Sequence, residues 1–262
     1  MPIGVKPEAL SKIRHLSSVS PLLLYSLSQL RQLSIAASPE HWAQMKDVLS
    51  PDEDSHNPYM RHLKQVTLAS DPYGTEGSFD AVKSFASFDT VTRLTVSNIL
   101  EETYGTYAVD FLSSPTHLEE VTFHSSVIRD KTMYAFLQGC PRLKRLTWEE
   151  MKSTTPRGRP QQLDTSWHEG ATRGYTNSFT LCAMLIANNK DTLEELRITT
   201  AFERAHIFMG DISRLSSLKL LDVYKNALVE SNFSQEAILP VSLEELTIDC
   251  GATVGDFLDA TT

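Results

Sequence analysis

The sequence predicts an α/β fold built as a repeat solenoid, with a curved parallel sheet on its concave face and mainly helical convex segments. Three observations carry this. A six-residue pattern of aliphatic, two polar, aliphatic, polar and apolar positions recurs, most clearly as Leu118-Glu119-Glu120-Val121-Thr122-Phe123. It starts at Leu30, Leu63, Val91, Leu118, Leu143, Leu193, Leu218 and Leu243, at intervals of 33, 28, 27, 25, 50, 25 and 25 residues. Between occurrences the apolar spacing changes from two to three, as in Phe79, Val82, Phe85 and Phe88. A short half-buried strand repeated at this period cannot bury its apolar side alone, so neighbouring units must stack.

Taken in order, residues 1–29 are expected to cap the first rung, with Pro7 opening a short helix that carries Leu10 and Ile13. Residues 30–262 then form the repeat domain of about eight units. After the first strand, Leu33 to Ile35, Ser38 caps a helix with Pro39 in its first turn and Trp42, Met45, Val48 and Leu49 facing inward. Residues 50–58 are polar and proline-punctuated, which predicts a loop. The second strand, Val66 to Leu68, precedes a turn at Asp71-Pro72-Tyr73-Gly74 and a helix bearing Phe79, Val82, Phe85 and Phe88. Val109 and Leu112 follow the third strand. Met133, Phe136 and Leu137 follow the fourth, before Gly139-Cys140-Pro141 stops the helix.

The interval of 50 residues hides either a degenerate ninth unit or an insertion. Pro156, Gly158, Pro160, Gly170 and Gly174, with no strand pattern between them, favour an insertion over 152–177. Phe179, Cys182, Met184, Leu185 and Ile186 then supply the helix due before the next strand. The last two units are short and regular, apart from Leu220 in a normally polar place. Phe257 and Leu258 fall in a partial return segment with no polar cap after it, as in a piece of a longer protein.

Within each unit the first, fourth and sixth positions are predicted to point inward. The outward positions form the exposed face: Gln32 and Ser34, Gln65 and Thr67, Arg93 and Thr95, then Glu120, Thr122 and His124. Arg145, Thr147 and Glu149 follow, then Glu195 and Arg197, Leu220, Asp222 and Tyr224, and finally Glu245, Thr247 and Asp249. Stacked in parallel, Glu119-Glu120 lies beside Lys144-Arg145, and those beside Glu194-Glu195, with Lys219 and Glu244-Glu245 next. Alternating charge sets which strands are compatible neighbours and also offers a surface to a partner.

Composition narrows the partner. The net charge of −9 disfavours unspecific attachment to nucleic acid or to an anionic membrane, and neither is expected. Cys140, Cys182 and Cys250 are odd in number and far apart, which suits buried thiols in a reducing compartment. The apolar stretch Leu22 to Leu24 is too short for a signal or spanning helix, so the expected location is intracellular, cytoplasmic or nuclear. No H-E-x-x-H, phosphate-binding glycine loop or G-x-S-x-G is present among the eight histidines, the glycines and the serines, so no metal, cofactor or catalytic set is expected.

The units resemble leucine-rich repeats of the irregular, cysteine-containing kind found in substrate-receptor subunits of ubiquitin ligases. Gly139-Cys140-Pro141-Arg142-Leu143-Lys144-Arg145-Leu146-Thr147 carries the resemblance best, being similar to that family's G-C-P-x-L-x-x-L segment. The likeness covers roughly residues 30–258, and its long variable loops resemble the repeat domains of fungal F-box-like proteins. The family's asparagine or cysteine after each strand is mostly missing. Asn226 fits that place, Ser38, Asp71 and Ser126 are weaker substitutes, and Met151 and Ala201 cannot serve. The segment ahead of the first repeat is shorter than an F-box, so a link to ubiquitin-ligase machinery needs an N-terminal module outside this chain.

The resemblance implies a protein–protein interaction module, a substrate-recognition or adaptor domain, whose partner is an unidentified protein. The candidate contact residues are Arg93, Glu120, His124, Arg145, Glu149, Arg197 and Tyr224 on the sheet, with Arg157, Arg159, Trp167, His168 and Tyr175 in the insertion. The insertion is cationic and aromatic within an acidic chain, as binding hot spots are, though a tolerated disordered insertion reads equally well. The alternative is an enzyme or small-ligand protein with a pocket between the insertion and the sheet, lined by groups such as His124, Glu149, His168 and Tyr224.

Overall fold

Period-two alternation places the strands, and period-three spacing places the helices between them. In the computed structural model the described residues are 15–17, 29–37, 61–70, 79–99, 115–126, 128–149, 176–199, 208–230 and 235–249. The strands are β1 (His15–Ser17), β2 (Gln32–Ala37), β3 (Gln65–Ser70), β4 (Arg93–Ser97), β5 (Glu120–His124) and β6 (Arg145–Glu149). They continue with β7 (Glu195–Thr199), β8 (Leu220–Tyr224), the two-residue β9 (Val229–Glu230) and β10 (Gln235–Glu236), and β11 (Glu245–Asp249). Helices α1 (Phe79–Ala86), α2 (Asp130–Gln138) and α3 (Ser178–Asn188) and the single turn α4 (Lys225–Leu228) lie between strands.

The fold is α/β, with one open, nine-stranded parallel sheet in the order β1-β2-β3-β4-β5-β6-β7-β8-β11. Strands that follow one another in sequence are neighbours in space; only the small antiparallel β9–β10 pair stands outside. From β2 onward each rung is joined to the next by one carbonyl that accepts two consecutive backbone N–H groups. Arg31 O accepts from Lys64 and Gln65 (2.8 and 3.1 Å), Glu119 O from Lys144 and Arg145 (2.8 and 3.0 Å), and Lys219 O from Glu244 and Glu245 (2.8 and 2.9 Å). This contact holds the predicted register, Glu120 beside Arg145 and Arg145 beside Glu195.

The inward positions behave as the pattern requires. Leu118, Val121 and Phe123 are fully buried, and so are their counterparts in the rungs from Leu63 to Val223, to within 1%. Phe79, Phe123, Phe136 and Trp148 form an aromatic cluster at the centre, with ring centroids 5.7–6.3 Å apart, mostly edge to face. α1 buries Phe79, Val82 and Phe85, and α2 buries Met133, Phe136 and Leu137. Asn177 caps α3 by a reciprocal bond pair with Thr180, a start signal that the apolar spacing alone does not reveal. The end of α2 is tied to both flanking rungs. Thr116 Oγ1 donates to Gly139 O (3.0 Å), and the buried Asn189 Nδ2 donates to Cys140 O (2.8 Å).

Residues 15–17 form β1, which pairs in parallel with β2 and satisfies backbone groups of the first rung; the helix expected from Pro7, with Leu10 and Ile13, lies outside the described residues. Gly139-Cys140-Pro141 ends α2 where expected, with Gly139 in the right-handed region (φ −75°) and Pro141, which lacks an N–H, unable to extend the helix. Two expectations are corrected. The return segments are not all helical: residues 208–217 run irregularly, because Gly210 takes φ +76° and the backbone bonds sideways. Met209 N–H donates to Ala227 O (2.9 Å) and Ile212 N–H to Ile238 O (3.0 Å). Finally, the last rung is open, with Leu246 at 40% and Ile248 at 43% exposure, since no further strand covers β11 among the described residues.

The helix expected after Ser38, the loop over 50–58, the turn at 71–74, Val109 and Leu112, the insertion up to residue 175, and Phe257 with Leu258 lie outside the described residues. No helix among the described residues is long and apolar enough to cross a membrane.

Two predictions follow from burial. Leu146→Ala removes a side chain only 1% exposed and should cost about 2–5 kcal/mol in urea unfolding, whereas Leu246→Ala, at the same rung position, should cost less than half as much. Equal losses would contradict the open last rung. Burial pushes the Cys140 and Cys182 thiols up to about 12, with a bond from Thr116 partly opposing the shift at Cys140. In a Cys250→Ser background neither thiol should react with Ellman's reagent at pH 8 until the chain is denatured.

Candidate interaction face

The outward positions of the central strands bring opposite charges together. Glu120 on β5 is flanked by Arg93 on β4 and Arg145 on β6, and one carboxylate oxygen, Oε2, meets both: Arg93 Nε at 3.2 Å and Arg145 Nη2 at 2.9 Å. One position earlier, Lys144 Nζ donates to Glu119 Oε2 at 3.2 Å. The hydrogen bond to Glu120 raises the Arg145 guanidinium above its ordinary range, with the charges of Glu120, Glu195 and Glu119 adding to it and desolvation opposing. At the far ends of β5 and β6, His124 Nδ1 and Glu149 Oε2 lie 2.6 Å apart.

Between these charged rows runs a column of small residues, Ser34, Thr67, Thr95, Thr122 and Thr147, in register across β2 to β6. The next position in the column is Arg197, which is exposed and lies between Thr147 and Asp222 in register. Short hydroxyls leave room above them, so the arginines, His124 and the carboxylates stand proud of the sheet.

The turns after β4 and β5 hold these ends in place. Asn98 and Ser125 take positive φ (58° and 45°) at corresponding rung positions, and Asn98 N–H donates to His124 O at 3.0 Å. The buried Ser126 Oγ donates to His124 O (2.9 Å) and accepts from Ile99 N–H (3.3 Å). Ser126 therefore does the bonding across rungs for which it looked a weak substitute.

Of the expected contact residues, Arg93, Glu120 and Arg145 form one cluster and His124 with Glu149 a second, while Arg197 stands one strand away. Tyr224 does not belong to the exposed face. It is only 7% exposed, because β8 passes without a loop into α4 and the large ring is folded into the core. Arg157, Arg159, Trp167, His168 and Tyr175 lie outside the described residues, so of the four groups named for a pocket only His124 and Glu149 are brought together on the sheet. The His124–Glu149 pair was legible in principle, since the two residues are one 25-residue period apart.

Half-exposed ion pairs of this kind contribute a few tenths to about 1 kcal/mol each. Breaking any one of them therefore costs the fold little. A double-mutant cycle on Glu120→Gln and Arg145→Gln should give a coupling of about 0.3–1 kcal/mol in urea unfolding, shrinking in 1 M NaCl. A coupling above about 2 kcal/mol would mean that the pair is a structural lock instead.

No protein-family model matches the chain, and no curated protein matches it either.

Proposed function

We propose that the chain is a protein-binding module of the leucine-rich repeat type, with its sheet forming the concave wall of a curved solenoid. One observation carries the reading. A row of half-exposed charges, Arg93–Glu120–Arg145 with His124–Glu149 beside it, crosses the middle of a parallel sheet whose strands follow chain order. Such a surface offers donors and acceptors on a rigid backbone, which suits recognition of a polar protein surface. The cationic, aromatic segment 152–177 lies in sequence between β6 and α3, and its arginines and Trp167 are of the residue types that anchor protein contacts. Substrate recognition or adaptor duty in an intracellular assembly is the role this supports. Attachment to ubiquitin-ligase machinery would require a further module on the same polypeptide or a bridging subunit.

The test is quantitative affinity capture from the cell of origin with three tagged forms: the parent chain, Arg93→Glu with His124→Ala, and a deletion of residues 153–177. A discrete protein partner should be enriched by the parent chain and fall at least tenfold with the sheet double variant, whose thermal melting should stay within a few degrees of the parent. A partner lost only with the deletion would move the contact from the sheet to the insertion. Retention by both variants would rule out this face as the binding surface.

A further inference from the structure

The residues that carry the doubly bonded carbonyls form a column of their own at the entry to the strands. From Glu119 onward its charges alternate strictly: Glu119, Lys144, Glu194, Lys219 and Glu244, each N–H after the first lying 2.8 Å from the carbonyl before it. One of these neighbour pairs closes directly, Lys144 Nζ to Glu119 Oε2 at 3.2 Å. At the head of the column alternation fails. Arg31 is followed by Lys64, whose N–H donates to Arg31 O at 2.8 Å, and then by the uncharged Thr92. Like charges in adjacent rungs of a parallel sheet, about 4.8 Å apart at the backbone, repel one another.

The adjoining column does not supply the missing acid. Beside Arg31 and Lys64 stand Gln32 and Gln65, followed in register by Arg93. Residues 29–37, 61–70 and 91–99, which hold β2, β3 and β4, contain Arg31, Arg61, Lys64 and Arg93 and no carboxylate, in a chain of 33 acidic and 24 basic residues. The carboxylates that border these rungs face other groups: Asp89 lies 3.8 Å from His117, and Glu120 is shared between Arg93 and Arg145. Arg31 and Lys64 are exposed, and among the described residues neither side chain has a hydrogen bond or an ion pair. The first rungs thus carry a patch of the sign opposite to that of the whole chain.

We propose that the entry side of β2, β3 and β4 is a docking surface for an acidic protein segment, an extended stretch with Asp or Glu at alternate positions. Its carboxylates meet Arg31 and Lys64, where they supply the sign that alternates in the rest of the column, and reach Arg93, which is 56% exposed. Alternate residues of an extended chain lie on one side, about 6.6–6.8 Å apart, a spacing that flexible Lys and Arg side chains can follow. Charge complementarity of this kind speeds encounter and rejects basic partners. Nucleic acid suits the patch less, since so few cations neutralise few phosphates and Glu120 stands at its border. The surface shares Arg93 with the central row but stands on Arg31 and Lys64, so it does not depend on the role proposed for that row.

The probe is an acetylated, amidated peptide of four Glu-Ser repeats with a neutral dye, titrated with the full chain at low salt and followed by anisotropy. Saturable binding is expected, weakening as salt rises, with none for the same peptide carrying Gln in place of Glu. Arg31→Gln with Lys64→Gln should weaken binding about tenfold, and its melting temperature should equal or exceed the parent's, because a repulsion is removed. Lys219→Gln removes a cation of the same column that lies between Glu194 and Glu244, and should leave the affinity within about twofold. No binding by the parent, or an equal loss with Lys219→Gln, would overturn the proposal. So would melting of the double variant well below the parent, since Arg31 and Lys64 would then serve the fold. Tighter binding of a single-stranded oligonucleotide at the same salt would assign the patch to nucleic acid instead. Self-association of the parent that the double variant abolishes would assign it to a second copy. Binding seen only after Asp52→Asn, Glu53→Gln and Asp54→Asn would assign it to the chain's own acidic segment.

Discussion

The structure depends on a single repeated contact, one carbonyl at the start of each rung that accepts two successive amides from the next. It is a backbone contact, so it works whatever side chains the rung carries, and it permits no slip. In a parallel sheet a shift by one residue would turn every apolar side chain outward. By pinning the residue just before each strand, the contact sends the first, fourth and sixth positions into the core. The same contact accounts for tolerance of uneven intervals. Chain added between one strand and the next need not disturb the junction, so the first interval of 33 and the long one of 50 coexist with a regular sheet.

In-register parallel stacking also turns each strand position into a column. Like residues in adjacent rungs of one column lie about 4.8 Å apart. Hydroxyl residues suffer nothing from this, and Ser34 to Thr147 fill the middle column. Charged residues must alternate, and from Arg93 to Glu195 they do. Where alternation lapses, Leu220 separates Glu195 from Glu245, an apolar spacer between two carboxylates. What looks like a blemish in the repeat pattern thus removes a repulsion.

The strands and their register were legible because both depend on local periodicity. The inward residues from Leu63 to Val223 follow from counting positions, and so do the partners of Glu119 and Glu120. Less local features were not legible. Whether residues 208–217 coil into a helix depends on Gly210 and on bonds to Ala227 and Ile238, which no window of sequence contains. Tyr224 sits at an outward position by parity, but the immediate start of α4 overrides parity. Ser126 carries no strong signal either; its importance comes from two backbone groups that two different rungs bring to it. The exposure of Leu246 and Ile248 has the same origin, since the pattern that buries them in other rungs assumes a neighbour on each side.

The charges of the central row are therefore both structural and available, and the magnitudes explain how. Each half-exposed pair contributes at most about 1 kcal/mol, while truncating one buried leucine or phenylalanine costs several times that. Stability rests on the core and on the carbonyl junctions, so breaking one pair of the row does not threaten the fold. Its value to folding is selective: mismatched rungs would set like charges side by side, and that penalty discriminates against wrong neighbours even where the matched pair adds little.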